Sequence, residues 1–128
     1  MATIGIFGRL KDTVVPVRGP VFHAKWEKLD LGSGALTKVY EVTVPAGLIY
    51  CFTRIHFEGQ DAGYLELRVG SDVPFRGRSS VFEVDKQWPF AEGEITADAG
   101  QAVEIWVQQF SGSTLEFTGD ISGFTRPL

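Results

Sequence analysis

The side chains able to do chemistry are few, and their spacing matches no reactive constellation. Two histidines occur, His23 and His56. A mononuclear metal site usually needs three protein ligands of suitable type, and no His-x-His pair is present. The two imidazoles could still meet in space, but the expectation is that each is a surface or lightly paired group, with no metal and no cofactor. Cys51 is the single cysteine, so an internal disulfide and a cysteine-rich zinc site are both excluded. It falls mid-strand among apolar neighbours and reads as a buried thiol. No serine stands in Gly-x-Ser-x-Gly, and the glycine-rich stretches match neither the phosphate loop nor the dinucleotide fingerprint. The carboxylates are scattered over outward strand positions and turns. The sequence is therefore read as non-enzymatic, with no catalytic residue assigned.

Contact chemistry is better represented than reaction chemistry. Phe75-Arg76-Gly77-Arg78 sets two guanidinium groups beside an aromatic ring. Arginine forks read carboxylates, phosphates or a partner's backbone; internal salt bridging in a solvated loop is the plainer reading. Lys86-Gln87-Trp88-Pro89-Phe90 places two large aromatics in a loop. Exposed Trp and Phe are enriched at protein contacts and also stack on sugars; folding back to plug one end of the molecule is the alternative. Trp106 falls on the outward face of an expected strand and suits a subunit interface or a position between sheets. Arg76, Arg78, Trp88, Phe90 and Trp106 are thus the candidate partner-binding residues of the body.

These groups must be positioned by strands. Glu41 to Gly59 reads as strand, tight turn and second long strand, and a looser copy runs from Glu94 to Gly112, 53 residues further on. Ala46-Gly47 matches Ala99-Gly100, and each copy is followed by a Leu-Glu-apolar strand, at Leu65-Glu66-Leu67 and Leu115-Glu116-Phe117. Two similar β units in one small domain suggest a double Greek key, the plan of a jelly roll. Period-two alternation places further strands at Val21 to Leu31, Tyr64 to Val69, Val81 to Val84, Ala102 to Phe110 and Thr114 to Ile121. Gly70 to Ser80 and Asp85 to Gly93 read as loops. In the long strand from Leu48 to Glu58, Ile49, Cys51, Thr53, Ile55 and Phe57 are the expected core face. The fold class is all-β: a jelly-roll-like antiparallel sandwich of about eight strands.

Composition agrees. A chain of 128 residues with 44% hydrophobic and 22% charged residues is globular and long enough to bury an ordinary core. A net charge of −4 argues against a general nucleic-acid binder. No charged-then-apolar leader opens the sequence and no apolar run approaches a membrane span, so synthesis in a cytoplasm is expected. Residues 1–20 differ from the body at 21–128. Glycines and prolines exclude a helix there, yet Ile4, Ile6, Phe7 and Leu10 are too apolar for a free tail. An extended N-terminal arm is expected, lying on its own domain or on a neighbour.

The run Val42-Thr43-Val44-Pro45-Ala46-Gly47 leads into a strand of mixed aromatic and polar residues. Asp98-Ala99-Gly100-Gln101 leads into Val103-Glu104-Ile105-Trp106-Val107, then Ser111-Gly112-Ser113 and a final strand. Residues 36–124 in this pattern resemble the small jelly-roll virion proteins of tailed bacteriophages, the capsid decoration (cement) proteins and related head or tail proteins. The resemblance implies a non-enzymatic structural role in the virion, a trimer or other symmetric homo-oligomer, and the major capsid protein or another virion protein as partner. A carbohydrate- or receptor-binding module of a phage tail, with a glycan on Trp88, Phe90 and Trp106, is the alternative.

Overall fold

A computed structural model describes residues 19–128; Ile4, Ile6, Phe7, Leu10 and the rest of the expected arm up to residue 18 lie outside the described residues. The strands are β1 (Val21–Leu31), β2 (Thr37–Thr43), β3 (Leu48–Gly59), β4 (Gly63–Val69), β5 (Asp72–Arg78), β6 (Asp85–Pro89), β7 (Thr96–Ala97), β8 (Ala102–Gln109) and β9 (Leu115–Pro127). Helix is absent among the described residues.

Two antiparallel sheets face each other. The first runs β1-β9-β3-β6, with β7 also paired to β3; the second runs β2-β8-β4-β5. Apart from the β4–β5 hairpin and the divided position β6/β7, successive strands alternate between the sheets, which is the two-Greek-key winding of a jelly roll. β6 and β7 are two halves of one strand position against β3, parted by an excursion at 90–95 whose ends bond back to β3 (Phe90 N to Thr53 O, 2.9 Å; Phe52 N to Ile95 O, 3.1 Å).

The internal repeat has a structural meaning. Pro45-Ala46-Gly47-Leu48 and Asp98-Ala99-Gly100-Gln101 are equivalent turns, each closed by a bond from the fourth residue's N–H to the first residue's C=O (3.3 and 3.0 Å). Gly47 and Gly100 stand at φ 81° and 86°, a conformation that glycine adopts without a Cβ penalty. The turns also clasp each other, through Val44 N to Gln101 O and Gly100 N to Val44 O (3.0 and 2.9 Å). The likeness does not extend to Phe57 and Phe110: the first is fully buried, the second exposed.

The core lies between the sheets. The second sheet contributes aliphatic residues, Leu65, Leu67 and Val69 from β4 and Val103, Ile105 and Val107 from β8. The first contributes rings, Trp26, Phe52, Phe57 and Phe117, with Phe57 stacked on Phe117 at 5.5 Å.

Several expectations change. The core face of β3 is not a single alternating set. Its register against β9 shifts between Ser122 and Gly123, so Thr53 has no opposite residue. Such a bulge reverses which parity points inward. Leu48, Tyr50 and Phe52 therefore pack on the core before the bulge, and Ile55 and Phe57 after it. Cys51 is buried as expected, but on the opposite side of the strand from Phe52. The stretch read as a loop at 70–80 holds β5, and that read as a loop at 85–93 holds β6. Conversely, Val81 to Val84 is a turn and not a strand, with Val81 and Phe82 exposed. The last strand continues to Pro127.

Candidate functional site

Register, and not sequence proximity, assembles a polar and aromatic face on the outside of the second sheet. Lys38 on β2 lies opposite Trp106 on β8; Trp106 lies opposite Glu66 on β4; Glu66 lies opposite Arg76 on β5. One row thus crosses all four strands. The neighbouring rows bring Arg68 opposite Glu104 and Arg78 opposite Tyr64. A register shift between Lys38 and Tyr40 sets both Lys38 and Glu41 outward.

Glu66 is the hub. Although charged, it is nearly buried at 8% exposure. Tyr64 Oη donates to Glu66 Oε2 (2.6 Å), Arg68 Nε donates to Oε1 (2.8 Å), and Arg76 Nε stands 3.8 Å from Oε2. Burial alone would raise its pKa. The hydrogen bonds from Tyr64 and Arg68, with the charges of Arg68 and Arg76, outweigh burial and hold the carboxyl below the usual range. Tyr64 is raised in turn, by burial first and by its bond to the Glu66 carboxylate second.

Trp106 is the centre of the aromatic part. The Arg68 guanidinium lies 4.2 Å from its ring centroid and Lys38 Nζ 6.0 Å. Its indole N–H donates to Glu104 Oε1 (2.7 Å), which fixes the ring. Lys38 closes the network onto Glu41 (2.8 Å) and Glu104 (3.8 Å). Its pKa is raised, first by the bond to Glu41. Arg78 stacks on Tyr64 at 5.0 Å. Four cations, Lys38, Arg68, Arg76 and Arg78, meet three carboxylates, Glu41, Glu66 and Glu104, so this face is locally cationic on an acidic protein. Such a patch presents guanidinium donors beside a rigid ring, the chemistry of a protein contact.

Of the residues expected from sequence, Arg76, Arg78 and Trp106 share this face. Trp88 and Phe90 do not. Both are half-buried against the core, with Phe75 5.2 Å from each ring. A Cβ on Gly77 would meet Trp88 at 2.7 Å. These rings close the open side between β5 and β6, in line with the folded-back alternative of the two readings. Lys38, Tyr64, Glu66, Arg68 and Glu104 were not singled out by sequence. The outward parity of Glu66 and Arg68 beside Leu65 and Leu67 was the available signal.

The outside of the first sheet carries a different cluster. His23 and His56 converge on Asp120: His23 Nε2 lies 3.4 Å from Oδ1 and His56 Nδ1 3.2 Å from Oδ2. Arg54 Nη2 donates to the same carboxylate (2.7 Å) and Nη1 to Gln87 Oε1 (3.1 Å). His56 Nε2 meets Asp85 Oδ1 at 2.6 Å. The histidines are thus parts of one network and not isolated surface groups. A shallow depression of about 460 Å³ adjoins it, lined by Lys25, Trp26, Glu27, His56 and residues 118–120.

A third surface is apolar. Leu29, Val81, Phe82 and Phe110 are exposed, Phe82 almost completely at 97%. They flank the β1–β2, β5–β6 and β8–β9 connections, which topology gathers at one end of the sandwich. Buried Gln109 holds part of this end, donating to Leu31 O (3.0 Å) and Ser113 O (2.5 Å) and accepting from Ser111 N (2.7 Å).

No protein-family model matches the sequence, and no curated protein matches it. Among solved structures, the fold is similar to a chain of the acidic stable capsid structure of Helicobacter pylori bacteriophage KHP30, at TM-score 0.55 and 10% identity, covering 86% of this chain and 91% of that one. A second likeness, to the insecticidal delta-endotoxin Cry8Ea1 of Bacillus thuringiensis, has TM-score 0.46 and 18% identity, covering 73% of this chain and 18% of the toxin.

Proposed function

We propose that the protein is a non-enzymatic structural component of a phage virion, a capsid decoration or cement protein that binds the shell and its own neighbours as a trimer. The observation that carries this reading is the overlap in fold with a chain of a phage capsid structure over nearly the whole length of both. Two surfaces supply the contact chemistry. The cationic face of Trp106, Arg76 and Arg78 offers orientation through guanidinium forks. The apolar end with Phe82, Val81, Phe110 and Leu29 offers area, worth about 25 cal/mol per Å² buried, less the cost of association. The apolar residues Ile4, Ile6, Phe7 and Leu10 add a tether to the shell or to a neighbour. Trp88 and Phe90 are half-buried beside Phe75, which weighs against the glycan-binding reading.

The test has two steps. Light scattering of the purified chain should give the mass of a trimer at micromolar concentration. The chain should also bind, saturably, to shells of its own phage prepared without it, and lose that binding when residues 2–18 are removed. A monomer that ignores such shells would overturn the reading.

A further inference from the structure

We propose that His56, Glu58 and Asp85 form a site for a divalent transition-metal ion, Zn²⁺ before others, on the outer face of the first sheet. His56 and Glu58 are two apart on β3 and so share a face. Asp85 on β6 is the register partner of Glu58. One donor atom from each of the three lies within 4.8 Å of the others. His56 Nε2 stands 2.6 Å from Asp85 Oδ1 and 4.0 Å from Glu58 Oε1. Ligands held about 2.0–2.2 Å from a tetrahedral Zn²⁺ are spaced roughly 3.3 Å apart, and the two observed separations bracket that figure. Both carboxylates are exposed, so a small rotation of each closes the geometry without moving a strand.

A second observation concerns the other imidazole nitrogen. His56 Nδ1 meets Asp120 Oδ2, and Asp120 is itself fixed by Arg54. A metal-ligating histidine commonly gives its free N–H to a carboxylate, which sets the tautomer and aims the remaining lone pair. Here a metal would take the place of the proton between Nε2 and Asp85 Oδ1, which stand 2.6 Å apart, with Glu58 Oε1 4.0 Å from the same nitrogen. Among the described residues no lysine or arginine pairs with either carboxylate, so two negative charges share one imidazole. A dication would balance them, and water would complete the fourth position. One imidazole with two carboxylates suits Zn²⁺ better than Ca²⁺ or Mg²⁺, which prefer all-oxygen shells. The bound ion would pin edge strand β6 to β3. Binding would release any proton held on His56 Nε2. Asp120 acts through His56 and is a positioning residue.

The experiment is a calorimetric titration of the full chain with ZnCl₂, paralleled by the visible spectrum of the Co²⁺ form. One ion per chain is expected, with a tetrahedral Co²⁺ spectrum and a raised Tm. Glu58→Gln and Asp85→Asn sit on exposed side chains and should leave the metal-free Tm near that of the parent while weakening binding at least tenfold. Asp120→Asn should weaken it by about 10- to 100-fold with all three ligands in place. Absence of stoichiometric binding overturns the site. So does binding that survives the Glu58→Gln, Asp85→Asn double variant, or that is lost with His23→Ala while His56 is intact.

Discussion

The two sheets are filled by different means. The inner face of β4 and β8 is aliphatic, with Leu65, Leu67, Val69, Val103, Ile105 and Val107 meeting the core in plain alternation. The inner face of β1, β9 and β3 adds large rings, Trp26, Phe52, Phe57 and Phe117, to the aliphatic Leu31, Ile55 and Ile121, with Phe22 5.7 Å from Phe52. Rings of that size cannot interleave with side chains of their own kind on every neighbouring strand, and glycines make the room. The outer faces differ as well. The aliphatic sheet carries Trp106 among three arginines and a lysine. The aromatic sheet carries His23 and His56, both directed at Asp120. Small-residue complementarity governs one side and volume governs the other, so substitutions of similar size should have unequal effects.

The sharpest test is Gly119→Ala. A Cβ there would stand 2.3 Å from the His56 carbonyl oxygen and 2.4 Å from Trp26 Cζ2. One contact is backbone and the other a buried ring, so neither can yield cheaply. We expect a loss of about 3 kcal/mol or more from overpacking, read as a fall in the denaturation midpoint. A loss below about 1 kcal/mol would mean that the ring side is not packed as described, and the contrast between the sheets would fail.

Glu66→Gln comes next, on the outer face of the aliphatic sheet. It leaves the Tyr64 hydroxyl and the Arg68 guanidinium with a weaker acceptor in a nearly buried place. The expected cost is about 2 kcal/mol at neutral pH. Because the folded pKa of Glu66 is depressed, its ionisation contributes stability above the ordinary carboxylate value. That contribution is lost as pH falls through the folded value. Parent and variant should therefore converge on acidification below about pH 4. Urea midpoints measured from neutral to acid pH check this; a difference that stays constant would show that the carboxylate charge plays no part.

The same contrast explains what the sequence disclosed. The alternation in Tyr64 to Val69 and Ala102 to Phe110 was legible because both strands sit inside the aliphatic sheet. β5 and β6 were read as loops because each is an edge strand that carries a proline, Pro74 and Pro89, which an edge tolerates by leaving the missing donor toward solvent. The bulge at Thr53 left no local mark, since Cys51 and Phe52 are both apolar and both buried. The turn pair at Gly47 and Gly100 was legible as a repeat because its chemistry is local. Neither outer cluster was. Trp106, Glu66 and Arg76 come from three strands and His56, Asp85 and Asp120 from three others. Only the crossover register brings each set together.

Ile105→Val sharpens the comparison from the tolerant side. Ile105 is fully buried on β8, opposite Leu67 and Tyr40. Loss of one methyl group should cost about 1 kcal/mol, and the β-branched replacement retains the strand preference. A cost several times larger would mean that the aliphatic layer is as exacting as the aromatic one.

The smallest effect on stability is expected at Arg76, and it separates folding from contact. Its guanidinium stands 3.8 Å from Glu66 and its side chain is 59% exposed. Exposed pairs at that distance contribute little, so Arg76→Ala should shift stability by no more than about 0.5 kcal/mol. If the face formed by Trp106, Arg76 and Arg78 is a contact surface, the same change should weaken trimer formation or shell binding tenfold or more. A double change with Arg78→Ala should weaken it further and flatten its salt dependence. Light scattering and shell-binding titrations at low and high salt read both quantities. Wild-type affinity in the double variant would leave the apolar end at Phe82 as the contact surface and reduce the cationic face to an internally satisfied network.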